Sequence, residues 1–171
     1  RSNIISRLEQ YGVKIDSKDP KVQKILDAVK GREFSGYSYE GADASFELLA
    51  NKLLGKLPEY LKVKNYNVTV QKSDKIETKA EVTFLIDGKE IKCSGSGNGP
   101  VNALDNAIRN NFERVEKYYK YFNDLKLLDY KVRILNTGTG ATTRVLIEST
   151  DKTGKSWFTV GVSPNIIEAS F

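Results

Sequence analysis

The stretch with the clearest chemical potential is Gly97-Asn98-Gly99-Pro100. There an extended run from Cys93 to Ser96, rich in small residues, meets the apolar-periodic segment Val101-Asn102-Ala103-Leu104-Asp105-Asn106-Ala107-Ile108. Proline is preset for the first position of a helix, and a helix starting here presents free N–H groups and its positive dipole end at the turn. Such a turn suits an anion or a carboxylate. It is not a P-loop: the lysine and Ser/Thr expected after the last glycine are absent, proline removes a donor, and Asp105 opposes a highly charged phosphate. Val101 and Leu104 lie beside the turn, so a carboxylate with an apolar tail, such as an amino acid, fits better than a nucleotide. A turn made only for packing is the competing reading.

Other polar groups have two readings as well. Asn102, Asp105 and Asn106 either cap the helix or bind the ammonium of an amino acid. Asp129-Tyr130 is either a carboxylate and aromatic facing a ligand or a strand-edge Asp beside a core Tyr. Asn136-Thr137-Gly138-Thr139-Gly140-Ala141 reads as a mobile loop, and a binding loop has the same composition.

Composition removes several function classes. There is no histidine, so His-based zinc sites, Ser-His-Asp triads and Cys-His pairs are impossible within this chain. The lone Cys93 excludes an internal disulfide, points to a reducing cytoplasm, and sits where a buried structural thiol is expected. No carboxylate pair stands out for catalysis. The net charge of +5 comes from bases interspersed with acids, which bears on solubility more than on a partner. No apolar run approaches the roughly 18 residues that cross a bilayer, and no signal peptide opens the chain. Arg114 to Phe122 interleaves bases with aromatics. At helical spacing Val115, Tyr119 and Phe122 face inward, so a solvated helix face is favoured over a nucleic-acid surface.

The elements that must position these groups follow from periodicity. Ser2 caps a short helix through Ile4, Ile5, Leu8 and Tyr11, ending at Gly12. Asp19-Pro20 starts a second, with Val22, Ile25, Leu26 and Val29 on one face and Gly31 beyond its end. A third carries Ala42, Phe46, Leu49, Ala50 and Leu53 before Gly55. These form a helical linker subdomain over residues 1–55, or an ordinary helical hairpin on the main domain. From Tyr66 the period becomes two: Tyr66, Val68 and Val70; then Val82, Phe84 and Ile86 up to the Asp87-Gly88 turn; then Ile91 and Cys93. A helix of about six turns is expected from Pro100 to Phe122. The plan then repeats. Asp129 to Ile134 mirrors Asn65 to Val70 at an offset of 64, and Gly161-Val162-Ser163-Pro164 falls on Gly97-Asn98-Gly99-Pro100 at the same offset. Residues 56–171 are therefore read as two pseudo-symmetric βββα units of an α+β domain, the last helix cut short. With Arg1 at the start and no methionine, both ends read as cut from something larger.

Three segments carry a family resemblance. Gly95 to Ala107, Leu128 to Val132 and Val162 to Ser170 resemble the C-terminal regulatory domain of the isopropylmalate and citramalate synthases, within the isopropylmalate, citramalate and homocitrate synthase family. Gly36-Tyr37-Ser38-Tyr39-Glu40-Gly41, continuing through Leu49, is similar to the citramalate branch, and Arg1-Ser2-Asn3-Ile4 resembles the start of that family's connecting subdomain. The resemblance implies a cytoplasmic parent acyltransferase that joins acetyl-CoA to a 2-oxo acid, pyruvate for citramalate synthase, with a divalent metal in a catalytic barrel. This chain lacks the barrel and its metal-binding histidines, so it is expected to be non-catalytic and to hold no cofactor. The resemblance also implies feedback inhibition by isoleucine, or by leucine in the isopropylmalate branch. In that family the effector sits between the two βββα units, near a homodimer interface. Carried over, the effector residues are Gly97, Asn98, Gly99, Val101 and Asn102, with Asp129, Tyr130, Ile134, Pro164, Asn165 and Ile166 from the second repeat. The expected partners are the effector, a second copy and the parent's own barrel. Neither nucleic acid nor membrane is expected. A dimerisation module without ligand is the alternative.

Overall fold

The computed structural model describes residues 2–112 and 115–171, so Arg1 and Arg114 of the stretches above lie outside the described residues. The elements run α1 (Ser2–Gln10), α2 (Pro20–Phe34), α3 (Asp43–Leu53), β1 (Lys62–Lys72), β2 (Ile76–Ile86), β3 (Lys89–Gly97), α4 (Pro100–Asn111), α5 (Glu116–Asp124), β4 (Lys126–Ile134), β5 (Thr143–Thr150), β6 (Ser156–Ser163) and α6 (Ile166–Ser170). Two three-stranded antiparallel sheets, β1-β2-β3 and β4-β5-β6, give the α+β layout of two βββα units. The chain packs as two compact units: residues 58–125, and residues 1–57 together with 126–171.

In the unit of residues 58–125, the alternation in β2 sends Ala80, Val82, Phe84 and Ile86 to one buried face, and α4 covers it with Ala103, Leu104 and Ala107. Phe112 closes this core, 5.6 Å from the Phe84 ring and 4.2 Å from that of Phe122. Cys93 is buried on β3. Asp87 and Gly88 both have positive φ, 49° and 77°, as a two-residue hairpin between right-twisted strands requires.

The six-turn helix is corrected to two shorter ones. α4 ends with the Phe112 N–H bonded to the Ile108 carbonyl, and Val115 leaves helical geometry at φ −113°, ψ 70° before α5 starts. The restart changes which residues face in: Val115 and Tyr118 are buried, Phe122 is half-buried and Tyr119 is exposed. Periodicity extrapolated across the break had placed Tyr119 inward.

In the other unit, α1, α2 and α3 close a core of Ile4, Leu8, Val22, Ile25, Val29, Tyr39, Phe46 and Leu49. Asp19 caps α2 by accepting from the Lys21 N–H at 2.8 Å. α2 does not stop at Gly31. It runs to Phe34, because Ser35 satisfies the Gly31 carbonyl with both its N–H and its hydroxyl, and Gly36 supplies the left-handed φ of 103°. Val160 of β6 packs against the helical core.

Candidate functional site

The β3–α4 turn is built by strapping a helix onto a strand with few side-chain atoms between them. A Cβ on Gly95 would strike the Ala107 backbone, lying 2.7 Å from its Cα, and one on Gly97 would lie 2.7 Å from the Ala103 nitrogen. Only glycine lets α4 come so close. Asparagines then lock the contact: Asn106 Nδ2 donates to the Ser96 carbonyl at 2.9 Å, and Asn111 Nδ2 donates to Ser94 at 3.0 Å. Asn102 accepts the Asn98 N–H at 3.0 Å, and Asp105 is paired with Arg109 at 2.8 Å. The polar groups near the helix start thus have backbone or ionic partners of their own.

Gly99 differs from the other two glycines. It is the N-cap of α4, with nothing within 4 Å of a built Cβ and no side-chain cap on the helix. Its carbonyl accepts the Ala103 N–H at 2.9 Å, which leaves the N–H groups of Val101 and Asn102 as the orphan donors of the first turn. Val101 is half-buried beside them. Thr78 faces Gly97 across the sheet; its hydroxyl is buried and has no hydrogen-bond partner among the described residues.

The second repeat carries the equivalent turn in a different state, and strand register shows which residues correspond. Both first strands have a register shift at the same place, between Val63 and Asn65 and between Leu127 and Asp129, so Tyr66 matches Tyr130. Thr78 pairs with Val70 and Gly97, as Thr143 pairs with Ile134 and Ser163, so Gly97 matches Ser163 and Gly95 matches Gly161. The N-caps Gly99 and Asn165 follow. The constant offset of 64 is thereby corrected. It holds on the first strands and grows by one residue at each connection of the second repeat, so Pro100 matches Ile166 and not Pro164. A Cβ on Gly161 would collide with the Ala169 backbone, so the close helix-on-strand approach is common to both repeats.

The caps are not alike. Asn165 Oδ1 accepts from the Ile167 and Glu168 N–H groups at 2.9 and 3.4 Å, so α6 satisfies its own N-terminus where α4 leaves its donors free. The Asn165 N–H in turn donates to Ser163 Oγ at 3.1 Å. On β4, the Tyr130 hydroxyl meets Ser170 Oγ at 2.5 Å, which ties the strand to α6. Tyr130 and Ile134 share the α6-side face, and Ile134 is exposed. Asp129 lies on the opposite face of the strand, where its carboxylate is 2.9 Å from Lys131 Nζ. That hydrogen bond, with one from the Tyr130 N–H, holds the carboxyl below the usual carboxylate range.

The predicted residues therefore fall into two groups. Gly97, Asn98, Gly99, Val101 and Asn102 surround one turn. Tyr130, Ile134, Pro164, Asn165 and Ile166 belong to the other repeat, with Asp129 on the far face of its strand. Sequence reasoning missed the Ser170–Tyr130 bond, the buried Thr78 hydroxyl and the strapping role of Asn111. Among the described residues no cluster of three or more His, Cys, Asp or Glu could hold a metal, and no helix is long and apolar enough to cross a membrane.

Residues 40–171 match the family model described as the LeuA allosteric (dimerisation) domain. The chain is 45% identical over its full length to an (R)-citramalate synthase of Geobacter sulfurreducens and 43% identical to one of Aquifex aeolicus, covering 33% of each. A 2-isopropylmalate synthase of Clostridium acetobutylicum is 36% identical over 69% of this chain and 20% of its own length. The chain thus spans about a third of the citramalate synthases it matches.

Proposed function

Because the chain belongs to the LeuA allosteric (dimerisation) domain family, we propose that it is the regulatory part of a citramalate synthase-like acyltransferase and binds a branched-chain amino acid, with isoleucine first in preference. The observation that carries this reading is the uncapped start of α4. Free N–H groups at Val101 and Asn102 and the positive dipole end of a twelve-residue helix suit a carboxylate. Half-buried Val101 offers apolar contact to an aliphatic tail, and the buried Thr78 hydroxyl has no hydrogen-bond partner among the described residues. The assignment of Asp129, Tyr130, Ile134, Pro164, Asn165 and Ile166 as effector contacts rests on the family resemblance. The parent reaction is proposed as acetyl transfer from acetyl-CoA to pyruvate, catalysed outside this chain on a metal-bearing barrel, with this domain as a homodimer. For inhibition, the bound state must hold the linker helices differently from the free one, since a ligand shifts only equilibria it binds unequally.

Thermal unfolding in the presence of each of the twenty amino acids tests this. Isoleucine at a hundredfold excess over its dissociation constant should add about 2.7 kcal/mol of stability. Leucine, differing only in branching, should trail by ~1–3 kcal/mol of binding free energy. No response to any branched-chain amino acid from an intact dimer, checked by light scattering, refutes the sensor. The isopropylmalate synthase relative supports a second reading in which leucine is preferred, and the same screen decides it. A dimerisation module without ligand draws its support from Asn106 and Asn111, whose side chains tie α4 to β3, and from Asn102, whose side chain ties α4 to the turn.

A further inference from the structure

Within the unit of residues 1–57 and 126–171, α3 docks on β6 of the second sheet. β6 is an edge strand, paired among the described residues with β5 alone. Its free edge is met by α3: Ser45 Oγ accepts the Val160 N–H at 2.9 Å, a donor that an exposed edge would leave unpaired. The Val160 side chain packs against the helical core. One strand inward, Arg144 Nε donates to the Gly36 carbonyl at 2.6 Å, at the residue that terminates α2. A Cβ on Gly36 would strike the Leu135 side chain and lie 3.4 Å from Val162 Cγ1, so the α2–α3 link rests on Leu135, just past β4, and on β6. Val160 is three residues from Ser163, whose hydroxyl orders the Asn165 cap of α6. The strand that enters the second turn is thus the strand the linker helices grip.

We infer that Ser45 and Arg144 are positioning residues that couple the state of the β6–α6 turn to helices α2 and α3. Resting on the sensor reading above, and on its assignment of Pro164, Asn165 and Ile166 as effector contacts, this names its route of regulation. An extended strand shifts as a piece along its hydrogen-bonded neighbours. A displacement of residues 163–165 therefore reaches the Val160 N–H and, through Ser45, the first turn of α3. Arg144 supplies a second, independent tie to the end of α2. Neither residue touches the turn itself, so both act through β6.

Hydrogen exchange on the full chain, with isoleucine binding followed in parallel by calorimetry, tests the coupling. In the wild type, isoleucine should slow exchange in β6 and in α3 together. In Ser45→Ala the binding and the β6 response should persist while the ligand-dependent slowing in α3 falls by about fivefold or more, and Ser45→Thr, which keeps the hydroxyl, should restore it. A merely structural Ser45 would change α3 exchange equally with and without ligand. Bound isoleucine with unmoved α3 amides, or a full α3 response in Ser45→Ala, overturns the coupling and leaves the sensor intact. No binding by calorimetry removes the sensor reading instead. The coupling is then read without ligand through Asn165→Ala, which deletes the α6 cap. It should speed α3 exchange in an otherwise wild-type chain and do so less when Ser45 is alanine; α3 exchange indifferent to the cap overturns the coupling.

Discussion

Replacing Gly99 with alanine separates a binding turn from a packing turn. Gly99 is extended, with φ −167° and ψ 176°, a conformation open to any residue, and a Cβ there meets no atom within 4 Å. Two small effects on stability oppose each other. Alanine is the poorer N-cap by about 0.5–1 kcal/mol. It also narrows the unfolded ensemble, which stabilises by about 0.4–1 kcal/mol. The unliganded protein should therefore change by no more than about 0.5 kcal/mol in either direction. The ligand response should change far more, because a carboxylate held by the first-turn amides of α4 would have to share the open space at Gly99 with the new methyl group. A hundredfold excess of isoleucine adds about 2.7 kcal/mol to the parent chain, and the same concentration adds only about 1.4 kcal/mol if the complex weakens tenfold. Urea unfolding with and without isoleucine reads both quantities, provided the denaturant slope is unchanged. A loss of more than roughly 2 kcal/mol in the unliganded variant, with the full isoleucine increment retained, would refute the reasoning. The turn would then serve packing alone.

The remaining predictions concern neighbouring groups. Gly95→Ala and Gly161→Ala force a methyl group into the Ala107 and Ala169 backbones. Each should lose about 1–3 kcal/mol by urea unfolding, and a neutral result would show that the helices are not pinned so closely. The depressed Asp129 carboxyl contributes stability that is fully present above the ordinary carboxylate pKa of about 3.9 and is lost as pH falls through its lower folded value. An NMR titration of Asp129 should give a midpoint below the ordinary carboxylate range that rises in Lys131→Gln and with added salt; an unchanged midpoint in that variant removes Lys131 as the main cause.

Local rules carried much of the fold. Alternation at Val82, Phe84 and Ile86 names a buried face, because a strand buries every second residue; the helical stripe through Val101, Leu104, Ile108 and Phe112 is buried at Leu104 and Phe112, while Val101 and Ile108 are half-buried and Ala103 and Ala107 turn inward. Asp87-Gly88 and Asp19-Pro20 name a hairpin and a helix start, because those residue types relieve strain or satisfy donors found only there. Where local rules competed, extrapolation failed. Periodicity ran from α4 to Phe122 across a break at Val115, and Gly31 was read as a stop although the stronger signal, Ser35 with Gly36, lay four residues on.

The candidate site divides in the same way. From the sequence alone came the two βββα units, the glycine turn that leads into α4, and the absence of any histidine chemistry, all properties of residue type and order. Tertiary structure decided what depends on which segments meet. Strand register moved the partner of Gly99 from Ser163 to Asn165 and so revealed one open and one self-capped helix start. Packing turned Gly95 and Gly161 into contact points for helix backbones, and it placed Ser45 on an N–H that lies 115 residues away in the chain. Spacing along a sequence encodes the local face and the cap. It does not encode which distant backbone group will need a partner when an edge strand is covered, and that need places the linker helices on β6.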